Sequence, residues 1–174
     1  LKFVEEGDSL FIDSSTTGYY FGKLLINSGM ENLTIVTNSI HIISLFAEIN
    51  SGIKVISTGG SFDRELNALL GDIVVSFISH IRLNKAFISV AGFSLERGLT
   101  TTDDFLLGIL RQTLSVVDKK DCLIDSSKFG REYLFKVSDL RDFDAVITNA
   151  NMETAVVKKI KKSGVNLVLA KSGK

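Results

Sequence analysis

At 174 residues, 45% hydrophobic and 23% charged, the chain has the size and composition of one globular domain whose core needs no staples. Twenty Lys+Arg balance twenty Asp+Glu, which argues against nucleic-acid binding by this piece alone; the single cysteine, Cys122, excludes an internal disulfide and fits a reducing, cytoplasmic setting. No apolar run reaches the ~18 residues of a membrane span, no signal peptide opens the chain and Pro is absent, so neither a membrane partner nor a proline-rich linker is expected.

Leu1 to Gly7 reads as the last turns of a helix closed by a glycine, so the chain is expected to be a piece of something longer. Leu10-Phe11-Ile12 is a strand, and Gly18 to Asn27 carries Tyr20, Phe21, Leu24 and Leu25 at helical spacing. Leu33 to Val36 is a β-branched strand followed by a helix from Ile40 to Ile49, and Ile53 to Ile56 is the next strand. Gly71 to Ile81 predicts a packed helix, with strand as the alternative its Ile, Val and Phe content leaves. Lys85 to Val90 is a strand and Asp103 to Val117 a helix. Asp121 to Ile124 is a strand, Tyr133 to Val137 a short edge strand, and Ala145 to Ile147 a further strand. A helix at Glu153 to Lys162 and a strand at Val165 to Leu169 close the chain. This alternation predicts a single α/β domain, with a mostly parallel sheet and helices on both faces. In such sheets ligands bind at the carboxyl ends of the strands.

The polar residues there are the candidates. Asp13-Ser14-Ser15-Thr16-Thr17-Gly18 places four consecutive hydroxyls between a strand and a helix. Helix-start N–H groups favour anions and the hydroxyls add donors, so the loop reads as a phosphate cradle or as an ordinary cap. It is neither a Walker loop nor a dinucleotide fingerprint. Thr37-Asn38-Ser39 is a cap or a ligand contact. Gly59-Gly60 allows close backbone approach or a tight turn. In the loop from Gly98 to Asp104, Thr102 or Asp103 caps the next helix, or the loop meets sugar hydroxyls. Asp125-Ser126-Ser127-Lys128-Phe129-Gly130 follows a strand, and Lys128 among the other polar strand ends is the best single candidate to meet a phosphate. His41 and His80 stand alone, without a second ligand at metal spacing, and no nucleophile elbow occurs, so neither a metal nor a cofactor is expected. Cys122 reads as a buried small hydrophobe.

Taken in order, Asp13 to Thr17, Thr37-Asn38-Ser39, Gly59-Gly60, Lys85-Ala86-Phe87-Ile88, Gly98-Leu99-Thr100, Asp125 to Gly130 and Asp144 to Thr148 resemble the C-terminal sensor domain of the DeoR family of bacterial transcriptional regulators. The resemblance runs from about Gly7 to the last strand. It implies a fold similar to ribose-5-phosphate isomerase and an effector that is a phosphorylated sugar or related metabolite. It also implies operator DNA contacted only through an N-terminal winged helix-turn-helix domain outside this chain, and a homo-oligomer. Carried over by position, it implies that Asp13, Ser14, Ser15, Thr16 and Thr17 form the effector loop. Asn38, Gly59, Gly60 and Lys128 line the same cleft, with Asp103 at an often acidic position. Ser15 and Ser89 stand where glycine is usual in the family. The rival is a sugar-phosphate isomerase of the same fold, which needs a carboxylate base. Such isomerases carry an Asp-Gly-Ala-Asp type motif after a middle strand. The counterpart here, Ser89-Val90-Ala91-Gly92-Phe93-Ser94, has no carboxylate, so a non-enzymatic sensor is expected, with Asp13 and Lys128 the acid/base pair left open to an isomerase.

Overall fold

The computed structural model describes residues 1–49 and 51–170. In chain order its elements begin β1 (Ser9–Ile12), α1 (Thr16–Ile26), β2 (Thr34–Thr37), α2 (Ile40–Ala47) and β3 (Lys54–Ser57). A hairpin of β4 (Ser61–Asp63) and β5 (Ala68–Leu70), then α3 (Asp72–Ser79) and β6 (Leu83–Ile88), follow. Next come β7 (Gly92–Ser94), β8 (Gly98–Thr101), α4 (Asp104–Ser115), β9 (Val117–Leu123) and β10 (Phe135–Ser138). β11 (Ala145–Asn149), α5 (Thr154–Lys162) and β12 (Leu167–Ala170) complete them.

Seven strands form one sheet in the order β12-β11-β9-β6-β1-β2-β3, with every neighbouring pair parallel. A three-stranded antiparallel sheet, β10-β8-β7, and the β4-β5 hairpin are appended. Alternation along the strands divides the core. Phe11, Val36, Ile88, Cys122 and Val146 share a cluster with Val74, Ile78, Ile109, Leu110 and Ile160 from α3, α4 and α5. Leu10, Ile12, Ile35, Phe87 and Leu123 cluster instead with Phe21, Leu25, Ile42 and Phe46 from α1 and α2. Helices therefore cover both faces, as the α/β rhythm predicts. No helix among the described residues is long and apolar enough to cross a membrane.

The differences from the sequence expectations are local. Leu1 to Gly7 is not a helix end but two turns, with Val4 N–H on the Leu1 carbonyl at 2.9 Å and Asp8 N–H on the Glu5 carbonyl at 3.2 Å. Gly7 has φ +84°, and a tight turn needs that backbone as much as a helix terminus does. β9 starts earlier than expected, at Val117, because Leu83 to Ala86 of β6 offer it a partner in register. Gly71 to Ile81 resolves as helix α3, and Tyr133 to Val137 yields β10 two residues later.

The chain climbs outward from β1 to β3 on one side and from β6 to β12 on the other. The order thus reverses between β1 and β6, and the register aligns Ile12 with both Thr37 and Phe87. The segments leaving β1, β2 and β6 therefore converge at one carboxyl edge. A crevice at such a reversal is where open α/β sheets bind ligands.

Candidate functional site

Among the described residues, two cavities open at this edge. The smaller, of about 300 Å³, is lined by Asp13, Ser14, Ser15, Thr16, Asn38 and Lys128, together with Ser89 to Ala91, Thr101, Thr102 and side chains of α4. The larger is an apolar groove of about 1070 Å³ between α1 (Tyr20, Leu24) and the strands β9, β11 and β12 (Leu123, Ile147, Val168). Thr16 and Lys128 border both. The polar convergence makes the smaller cavity the candidate site; its volume lies at the lower end of small-molecule pockets.

The loop after β1 is built around Asp13. Its Oδ1 accepts from Ser15 Oγ at 2.6 Å and from Ser15 N–H at 3.3 Å, and its Oδ2 accepts from Ser89 N–H at 2.7 Å. The carboxylate therefore ties the end of β1 to the start of the loop after β6. Burial pushes its pKa up to about 6, against the lowering effect of the Ser15 and Ser89 hydrogen bonds and the Lys128 charge. Ser15 is the N-cap of α1, its Oγ accepting from Gly18 N–H at 2.9 Å. With φ −69° and ψ 154° it sits in extended backbone open to any residue, serine included. The N–H groups of Thr16 and Thr17 belong to the first turn, whose donors have no partner inside a helix, and no acidic residue occupies that turn.

Gly18 is needed for packing. A Cβ there would stand 2.7 Å from the Asp13 carbonyl oxygen and 2.9 Å from Asp13 Oδ1. Gly18→Ala is expected to destabilise the domain by about 1–3 kcal/mol through this overpacking. Urea unfolding measures it; an unchanged midpoint would contradict the close approach.

Thr37-Asn38-Ser39 divides its work. Thr37 Oγ1 donates to the Ile12 carbonyl at 2.6 Å and Ser39 caps α2, accepting from Ile42 N–H at 3.3 Å. Asn38 alone of the three lines the cavity. Lys128 ends a single 3-10 turn, Ser126–Lys128, capped by Asp125. Its Nζ donates to the Val90 carbonyl at 2.8 Å and to Ser89 Oγ at 3.4 Å. The hydrogen bonds from Ser127 hold the Asp125 carboxyl below its ordinary range.

The remaining predicted residues lie elsewhere. Thr17 borders the apolar groove. Asp103 is the N-cap of α4, accepting from Leu106 N–H at 2.8 Å. Gly59 and Gly60 follow β3 outside the cavity lining; Gly60 has φ +111°, and a Cβ there would meet Val74 at 2.6 Å and the Leu70 carbonyl at 2.7 Å. Thr101 and Thr102, from the Gly98 to Asp104 loop expected to cap a helix or meet sugar hydroxyls, line the cavity, as do Glu65 and Leu66, which sequence reasoning missed. The hairpin that carries Glu65 is held to the β2–α2 junction by Leu69 N–H on the Asn38 carbonyl at 2.7 Å. No metal-ligating group of three His, Cys, Asp or Glu forms among the described residues. Cys122 is buried inside β9, where burial raises its thiol pKa.

The likeness to known proteins is consistent with this geometry. A family model described as the DeoR C terminal sensor domain matches residues 1–150. An uncharacterized HTH-type transcriptional regulator of Bacillus subtilis, YulB, is 27% identical over 166 residues, covering 95% of this chain and 63% of that protein. The glycerol-3-phosphate regulon repressor of Haemophilus influenzae is 27% identical over 168 residues, covering 97% of this chain and 64% of that protein. The chain thus spans less than two thirds of the length of these curated relatives. Among solved structures, ribose 5 phosphate isomerase A from Neisseria gonorrhoeae superimposes with a TM-score of 0.51 at 19% identity, over 74% of this chain and 48% of that one. The architecture is therefore that of the ribose-5-phosphate isomerase fold.

Proposed function

This chain belongs to the DeoR C-terminal sensor-domain family, and from that premise we propose that it is the ligand-sensing part of a cytoplasmic, sugar-responsive transcriptional repressor. A phosphorylated sugar or related metabolite bound in the 300 Å³ cavity changes affinity for operator DNA, which is contacted by a DNA-binding domain outside this chain. The observation that carries the reading is the meeting of the α1 N-terminus, Ser14, Thr16 and Lys128 at one cavity. The name of the Haemophilus relative, which includes glycerol 3-phosphate, supports a phosphorylated ligand. Regulation follows as a population shift: the ligand favours one arrangement of the domain by no more than its differential affinity for the two. Self-association belongs to the same reading, supported by the exposed apolar Tyr20 and Leu24 beside the groove.

The isomerase alternative needs a free base. Asp13 is committed to three donors of its own loops, which supports sensing over proton transfer. Thermal unfolding with ribose 5-phosphate, glucose 6-phosphate, fructose 6-phosphate and glycerol 3-phosphate, each beside its unphosphorylated partner, tests the reading. A ligand at 100 times its dissociation constant adds about 2.7 kcal/mol and moves the midpoint by several degrees. A shift with a phosphorylated compound but not its partner is the expected result. Isomerised product in the same mixture would overturn the sensor assignment.

A further inference from the structure

Asn38 is 1% exposed, yet its Oδ1 meets no hydrogen-bond donor among the described residues. Its Nδ2 donates to the Leu69 carbonyl at 3.3 Å. That bond sets the amide's orientation: flipping it would turn Oδ1 against another acceptor and lose the only partner the side chain has among the described residues. Asn38 therefore carries an unpaired acceptor, and the residue belongs to the lining of the cavity that also holds Ser14, Thr16 and Lys128. A buried acceptor left without a donor costs free energy, and natural structures keep few of them. Thr113 Oγ1, the other such atom among the described residues, is not in the cavity lining.

We propose that Asn38 is the specificity-determining residue of this site, its Oδ1 accepting a hydrogen bond from a hydroxyl of the bound phosphate ester. The inference rests on the anion-binding reading above and adds the other half of the ligand. Lys128 and the α1 N-terminus offer donors and select the anion, whereas Asn38 offers an acceptor and selects a hydroxyl donor. The ligand class is thus a hydroxylated phosphate whose hydroxyl reaches Asn38 while its phosphate sits at α1. A carbonyl or carboxylate oxygen at that point would face Oδ1 acceptor to acceptor and be rejected.

The test is calorimetric titration of the tightest-binding sugar phosphate from the panel, of its single-site deoxy and deoxyfluoro analogues, and of inorganic phosphate. Fluorine keeps the size of a hydroxyl and removes its donor. On the unmodified chain, one deoxyfluoro position should weaken binding at least tenfold. Asn38→Ala should weaken the parent sugar phosphate by a similar factor, show no further loss with that analogue and leave inorganic phosphate within twofold. Equal loss of sugar phosphate and inorganic phosphate in Asn38→Ala, or additive losses, would overturn the role of Asn38 and leave the anion site standing. The analogue series decides the matter even where Asn38→Ala fails to fold, because no deoxyfluoro position sensitive on the unmodified chain also overturns the proposal. If no phosphate compound binds the unmodified chain, the anion-site reading itself falls.

Discussion

Lys128→Ala should weaken a phosphorylated ligand by about 100-fold and leave its unphosphorylated form within twofold. Lys128 Nζ is held by neutral acceptors, the Val90 carbonyl and Ser89 Oγ. Within 4.0 Å it makes no carboxylate ion pair among the described residues. Its charge is therefore oriented but still available to an anion. Charge-assisted hydrogen bonds are worth about 1.5–3 kcal/mol, and the upper part of that range corresponds to roughly two decades of affinity. Lys128→Arg keeps the charge and should retain most phosphate binding while changing its geometry. Calorimetric titration of the phosphorylated and free sugar with each variant measures both. Equal weakening of the two ligands by Lys128→Ala would remove Lys128 from the phosphate role.

The second large effect is on stability against pH. Burial raises the Asp13 pKa to about 6 in the folded protein, from an ordinary value of 3.8. The folded state then binds more protons than the unfolded state between those values. Stability must fall as pH rises from about 4 to about 6, and the cost of the buried charge is fully present above that window. Two units correspond to about 3 kcal/mol. Asp121 is also raised to about 6, by burial first and then by the Asp144 charge, and acts with the same sign. Asp13→Asn removes only the first contribution. The amide lacks the second acceptor that the Ser15 and Ser89 donors need, so the variant should be less stable at neutral pH. The diagnostic quantity is the slope. Between pH 7 and pH 4.5 the unmodified chain should gain on the variant by about 2 kcal/mol in urea unfolding, whatever their absolute difference. Parallel curves would show that Asp13 carries no shifted proton.

Much of this site was legible because its signals are local. A strand running into Asp13-Ser14-Ser15 and then a helix announces a cap, and Ser15 is that cap. Lys128 followed from its place after a strand, where parallel sheets put their ligands. Other parts depend on contacts distant in sequence. β4, β5 and β7 are three residues each, too short to show a period of two, so Glu65 and Leu66 could not be placed at the cavity. Asp103 carries the same residue signal for a cap as for a ligand contact, and the geometry shows it capping α4. Gly60 packs against Val74 and the Leu70 carbonyl, which no local pattern distinguishes from a phosphate turn. Leu1 to Gly7 carries a related ambiguity: a positive-φ glycine closes helices and turns alike, and here it closes a turn.

In the function proposed above, the phosphate of a sugar phosphate binds at the α1 N-terminus beside Lys128. Titrating the isotopically labelled domain with the tightest-binding sugar phosphate, and following backbone amide resonances, tests it most directly. Saturable shifts are expected to be largest at Ser14, Ser15, Thr16 and Thr17, with further shifts at Asn38 and Ser89, and weaker changes with the unphosphorylated sugar. Shifts gathered instead around Tyr20, Leu24 and Leu169 in the apolar groove, with the loop after β1 unmoved, would contradict it.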